Sequence, residues 1–204
     1  MDKIRLRLTG ETPILMHNDR LANPLNKYAR AISAKSGKRK KTLDDIMDLA
    51  RLEWEGGLYL NKGEVQMPAK CINKCLERGA TKQKNGTLWK TGCIVLNDFC
   101  PLKYPGPKIK AESDNGDVPI QSLDVHFEKH SFQSMVKVGM ARLLRTRPIF
   151  EDWSFEVDIG FDGNIINTET VLQLTTDAGR MVGLCDWRVE KGGQFGRFSV
   201  EVVE

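Results

Sequence analysis

Residues 153–161 alternate large apolar side chains with small or polar ones. Trp153, Phe155, Val157, Ile159 and Phe161 interleave with Ser154, Glu156, Asp158 and Gly160. A period of two over this length is the signature of a strand with one face buried. Asn167-Thr168-Glu169 then opens a helix whose apolar positions Val171, Leu172, Thr175, Ala178 and Met181 follow the 3.6 period, with Gly179 and Gly183 near its end. Phe198, Val200 and Val202 alternate again. Strand, helix and strand in that order make one βαβ unit, and whatever precedes it must complete the sheet.

The first residues supply the matching half. Ile4, Leu6 and Leu8 alternate with Arg5 and Arg7, a half-buried strand with a basic outer face that ends at Pro13. Leu58 to Met67 has the shape of a hairpin around Asn61-Lys62-Gly63. Pro68 starts a helix with Cys71, Ile72, Cys75 and Leu76 as its apolar stripe and Gly79 as its expected end. Trp89 to Leu96 reads as the next strand. Without its insertions the order is βαβ followed by βαβ. The expected class is therefore α+β, with a ferredoxin-like (RRM-like) βαββαβ sheet, one face under helices and one open.

Two segments interrupt that order. Residues 18–56 read as a helical insertion after the first strand. Asn23-Pro24 is its predicted first helix start, and Thr42-Leu43-Asp44-Asp45 is a capping-box-like second start. Gly56-Gly57 is its stop. Residues 97–135 read as a variable, loop-rich middle with an acidic-polar patch from Glu112 to Asp117. A chain of 204 residues accommodates one core with such insertions, so a single domain is expected over 1–204.

Composition narrows the function classes. There is no apolar run long enough for a membrane span and no signal-peptide pattern at the start, so the expectation is a cytoplasmic protein with no membrane partner. The five cysteines are expected as reduced thiols. Cys71 and Cys75 lie four apart on a helix face; His126 and His130 are also four apart, in a stretch without a helical pattern. No CxxC pair occurs, and neither a metal site nor a cofactor is expected. The net charge is only +4, so the placement of the cations matters more than their total.

Cations cluster in three places. Lys35, Lys38, Arg39, Lys40 and Lys41 form a run inside the insertion, read either as a solvated loop or as a finger on phosphates. Arg142, Arg145 and Arg147 precede Pro148, read either as partners of Glu151 and Asp152 or as a track for a nucleic-acid backbone. Arg188 and Arg197 flank Gly192, Gly193 and Gly196, beside Phe195 and Phe198. This loop is read as a plain turn or as glycine amides that approach a phosphate. A nucleotide pocket is disfavoured, because the glycines lack GxGxxG spacing and open a strand.

Three stretches carry a family resemblance. The glycine loop, preceded by Ala178-Gly179-x-x-Val182-Gly183, looks like the C-terminal signature of the RAMP (repeat-associated mysterious protein) superfamily. Residues 64–74, EVQMPAKCINK, resemble that family's strand-to-helix junction, with Asn73 in place of the usual leucine and Cys75 in place of the usual glycine. Thr12-Pro13-Ile14-Leu15 is similar to the turn that ends its first strand. The sequence is similar too to uncharacterised proteins of phages and prophages, which implies a bacterial host.

The resemblance implies an RNA-binding backbone subunit of the kind found in CRISPR effector complexes, with an inserted thumb. It adds Lys70 and Lys74 of the junction helix to the basic candidates. It also implies copies assembled side by side along single-stranded RNA or DNA. Family nucleases use a histidine as general base or an aspartate after the first strand. His17 and Asp19 are accordingly the catalytic candidates for a metal-independent endoribonuclease; the plainer reading is a polar strand end. A third reading is a phage interaction protein that docks on a host CRISPR complex.

Overall fold

Ile4, Leu6 and Leu8 project from one face of β1 (Asp2–Gly10), and all three are buried. β1 lies between β9 (Ser154–Phe161) and β10 (Phe198–Val202), antiparallel to both. β5 (Cys93–Val95) joins the far edge of β9, giving a four-stranded sheet of order β10-β1-β9-β5. The register sets Ile4 opposite Ile159, Leu6 opposite Val157 and Leu8 opposite Phe155, so both strands bury the same face. This computed structural model describes residues 1–111 and 123–203; the acidic-polar patch Glu112 to Asp117 lies outside them.

α3 (Ala69–Lys82) and α6 (Thr168–Met181) pack on one another and into the same core. Asn167 caps α6 as expected, its side chain accepting from the Thr170 amide at 2.8 Å. The expected stop at Gly79 is wrong, because α3 continues through it. A Cβ there would lie 2.5 Å from the Cβ of Ala178, so the glycine permits close contact between the helices rather than ending one.

Between β2 (Ile14–Leu15) and β3 (Leu60–Asn61) stand the inserted helices α1 (Lys27–Ser36) and α2 (Leu43–Gly57). Thr42 and Asp45 form a reciprocal capping box on α2. α1 begins later than Pro24 suggests. Asn26 is its cap, and Asn18 caps a 3-10 turn at Asp19–Ala22 instead. Arg20 then reaches back to the end of α2, donating to the carbonyls of Glu55 (2.6 Å) and Gly56 (2.8 Å). These are groups that a helix terminus otherwise leaves unpaired.

β3 pairs with β4 (Glu64–Pro68), and β6 (Phe99–Pro101) pairs with β4 on its other side. Trp89 does not belong to a strand as expected. It lies in α4 (Gly86–Gly92), where Trp89 and Gly92 are buried three residues apart, a helical spacing. His126 and His130 are likewise helical, in α5 (Leu123–His130). Their rings stack at 6.5 Å, and His130 leans on Phe150. The hairpin of β7 (Ser131–Val138) and β8 (Ala141–Phe150) pairs with β2, in the order β2-β8-β7. Buried Glu53 of α2 ties the insertion to this hairpin by accepting from the Thr146 amide (2.8 Å) and from the Arg145 guanidinium.

The architecture is thus mixed α+β, with six α-helices among the described residues and three antiparallel sheets. No helix of the described residues is long and apolar enough to cross a membrane.

Candidate functional site

Across β1 and β9 the sheet face turned away from the core is largely polar and already neutralised, while Met1, Ile94 and Leu96 gather over Gly160 at its β5 edge. Arg5 sits opposite Asp158 and Arg7 opposite Glu156 in the register, and each pair is an ion pair. Lys3 also meets Asp158, and Lys103 also meets Glu156. The hydrogen bond from Arg5, helped by Lys3, pulls the Asp158 carboxyl down to about 2. Lys3, Arg5, Arg7, Ser154, Glu156 and Asp158 provide no ring on which a base could stack. The basic outer face expected of the first strand is therefore spent on its own neighbour.

The glycine loop follows α6 with a 3-10 turn at Val189–Lys191 and a single bridge between Arg188 and Phe195. Its amides donate inside the fold. Gly192 donates to Val189 (3.0 Å), Gly193 to Arg188 (3.1 Å) and Gly196 to Pro13 (2.8 Å). A Cβ on Gly193 would sit 1.7 Å from the Trp187 carbonyl oxygen, so the glycine lets the loop fold back on that residue. Phe195 and Phe198 are buried. Trp187 is 45% exposed, held at a positive φ of 44° with its ring against Phe132 and Phe195.

A cleft of about 350 Å³ collects residues from four parts of the chain. His17 and Asp19 come from the end of the first strand pair. Tyr59 comes from the segment before β3, Lys70, Cys71 and Lys74 from the first turns of α3, and Cys185, Asp186 and Arg188 from the loop after α6. The Asp186 amide donates to the Leu15 carbonyl at 2.9 Å, which fixes that loop against β2. The Tyr59 hydroxyl donates to the His17 carbonyl at 3.0 Å. A second hollow of about 290 Å³ continues past His17 between the insertion and the hairpin, lined by Ile32, Glu53, Val136, Arg145 and Arg147.

The cations of this track are mostly paired. Lys70 meets Asp19 at 2.6 Å, Arg147 meets Asp186 at 2.6 Å, Arg145 meets Glu53, and Arg188 meets Glu190 at 3.0 Å. Lys74 is exposed and has no carboxylate within salt-bridge reach among the described residues. The Lys70–Asp19 pair is exposed, and such surface pairs are worth about 1 kcal/mol or less, so an incoming phosphate can replace the Asp19 carboxylate at small cost. His17 keeps its ring at the surface of the cleft. The surrounding protein lowers its pKa, Arg147 and Arg145 add to that, and Asp186 and Glu53 oppose it.

Five sequence candidates thus meet in one cleft: His17, Asp19, Lys70, Lys74 and Arg188. Arg145 and Arg147 line its continuation. Others lie elsewhere. Lys35 and Lys38 pair with Asp48 and Asp45 of α2, and Arg39, Lys40 and Lys41 are exposed at the α1–α2 tip. That tip is about 20 Å from the base of α2, one helix length. Arg142 stands near the hairpin turn, not on the four-stranded sheet, and pairs in register with Lys137. Arg197 is exposed beside Thr12, whose hydroxyl accepts from its amide at 3.0 Å. Tyr59, Cys185, Asp186 and the exposed face of Trp187 had no signature in the sequence, since a turn residue at positive φ looks like any other until the loop is folded.

No protein-family model matches the chain, and no curated protein matches it in sequence.

Proposed function

We propose that the protein binds single-stranded nucleic acid along the track that runs past His17, without strict sequence preference. Lys74, Lys70 and Arg188 contact phosphates in the cleft, Arg147 and Arg145 extend the path, and a base stacks on Trp187. The observation that carries this reading is convergence. Cations from α3, β8 and the loop after α6, far apart in sequence, line two hollows that share His17, and the exposed Trp187 follows Asp186 of the lining in the chain. Cations that track a backbone and rings that stack bases are the two ingredients of sequence-tolerant single-strand binding.

The sheet order β10-β1-β9-β5, with α3 ahead of β5 and α6 between β9 and β10, supports reading the core as ferredoxin-like. On that reading the chain is a RAMP-like backbone protein whose α1–α2 insertion is the thumb. Side-by-side assembly on a long strand belongs to the same proposal.

Fluorescence anisotropy of a labelled single-stranded oligonucleotide, titrated at several salt concentrations, tests it. Binding at low salt is expected, weakening with a log–log slope of about −3 to −4, as about five neutralised phosphates require. Lys74→Glu lowers the affinity and flattens the slope. Absence of binding at low salt, or a slope near zero, removes the proposal.

A second reading is favoured by the place of His17 in the lining of the cleft, where burial lowers the pKa of its imidazole, the direction that suits a general base. The protein would then cut RNA by activating a 2′-hydroxyl. Labelled RNA incubated in chelator should be cleaved, and His17→Ala should abolish cleavage; an intact substrate with wild-type protein rejects this reading.

A further inference from the structure

The cleft contains a pair of thiols that neither binding nor cleavage uses. Cys71 is the third residue of α3, where unpaired helix amides favour negative charge, and Lys70 precedes it. Cys185 faces it from the loop after α6, at a φ of 61°, with its sulfur 3.8 Å from the Met67 sulfur. Both residues are partly buried and line the same cavity, and both are unbridged. Cys75 is buried one turn further along α3.

We propose that Cys71 is a peroxide-reactive thiol and that Cys185 resolves it, the two closing to a disulfide between α3 and the loop. The Cys71 thiolate attacks one oxygen of hydrogen peroxide. The O–O bond breaks, the sulfur becomes a sulfenic acid, and the departing hydroxide takes up a proton as water. Cys185, giving up its proton, then attacks the Cys71 sulfur. The S–S bond forms, the S–O bond breaks, and the hydroxide leaves with that proton as a second water. Two thiols are oxidised and one peroxide is reduced, through the usual first step of the cysteine oxidation ladder.

Electrostatics make the choice of thiol selective. A hydrogen bond from Cys185 is the largest reason that Cys71 is held down to about 7, with Tyr59 and Lys70 adding to it against burial. The interaction with Cys71, and after it burial, push Cys185 well up, which suits a resolving thiol rather than an attacking one. Burial pushes Cys93 to about 11, Cys100 to about 12, and Cys75 higher still. The pair does not depend on the nucleic-acid reading. Because the loop carrying Cys185 also carries Arg188, closing the bond draws one wall of the cleft toward α3.

Peptide mapping of the full-length protein after equimolar hydrogen peroxide and rapid alkylation tests the proposal. Trypsin cuts after Lys70 and after Lys74, so Cys71 and Cys75 fall in different peptides. The expected product is the Cys71 peptide joined to the Cys185 peptide, lighter than the sum of the two by two hydrogens. With peroxide omitted, a thiol alkylating reagent at pH 7 should label Cys71 about tenfold faster than Cys93. Cys185→Ser should stop at a Cys71 sulfenic acid that a 1,3-dione reagent traps. Oxidation that spares Cys71, or that joins it chiefly to another cysteine or to a second chain, overturns the proposal. So does labelling of Cys71 no faster than Cys93.

Discussion

Single side chains decide what this surface can offer. Arg5 and Arg7 are basic in the sequence, but Asp158 and Glu156 stand opposite them, so the sheet presents almost no free charge there. Trp187 has the reverse history. It sits in a short loop like any turn residue, yet it is 45% exposed, and Gly193 lets the chain fold back against its carbonyl. Trp187→Ala should weaken single-strand binding by about 1–3 kcal/mol, roughly the value of one stacked base. Anisotropy at fixed salt measures it, and a circular dichroism melt should show that the fold survives. Gly193→Ala should instead damage the fold, by about 1–3 kcal/mol, since the new methyl group overlaps the Trp187 carbonyl and the loop must shift. Chemical denaturation reads that loss.

At the scale of elements, the insertion and the hairpin act as one body because Glu53 of α2 is shared with β8. Glu53→Ala leaves the Thr146 amide without its buried acceptor and should cost about 2 kcal/mol in denaturant titration. Thr42→Ala, which removes only the α2 cap, should cost about 1 kcal/mol. Elements of this kind were legible in the sequence where one period ran long enough. The alternation of β1, β9 and β10, the α6 cap at Asn167 and the α2 capping box were all readable, because each is dictated by neighbours in the chain. Trp89 and the His126–His130 stretch were not. Two turns of helix and a short strand leave the same few apolar residues, and only packing against the core chooses between them. Gly79 misled for a related reason: a glycine that ends a helix and one that admits Ala178 are identical in sequence. The site was legible in its cations and in His17 and Asp19. It was illegible in its assembly, since Lys74, Arg147 and Arg188 meet only through tertiary contacts.

For the whole molecule, the three histidines share a direction. Burial is the leading cause that lowers the pKa of His17, His126 and His130. The folded protein therefore favours neutral imidazoles, whereas the unfolded chain takes up protons from about pH 6.5. Between the lowered folded values and about 6.5 the unfolded state binds more protons, so stability falls as the pH drops through that window. Thermal melts should show a lower midpoint at pH 6.0 than at pH 7.5. His126→Phe should flatten the difference, because its Nδ1 has no hydrogen-bond partner to lose. The central claim is that nucleic acid runs in the cleft and not across the open sheet or the basic tip of the insertion. Photo-crosslinking of a single-stranded oligonucleotide to the full-length protein, followed by mass-spectrometric mapping, addresses it most directly. Crosslinks should fall on Tyr59, on the first turns of α3 and on Trp187 with its neighbours; crosslinks confined to β1 and β9 or to residues 35–41, or none at all, would contradict it.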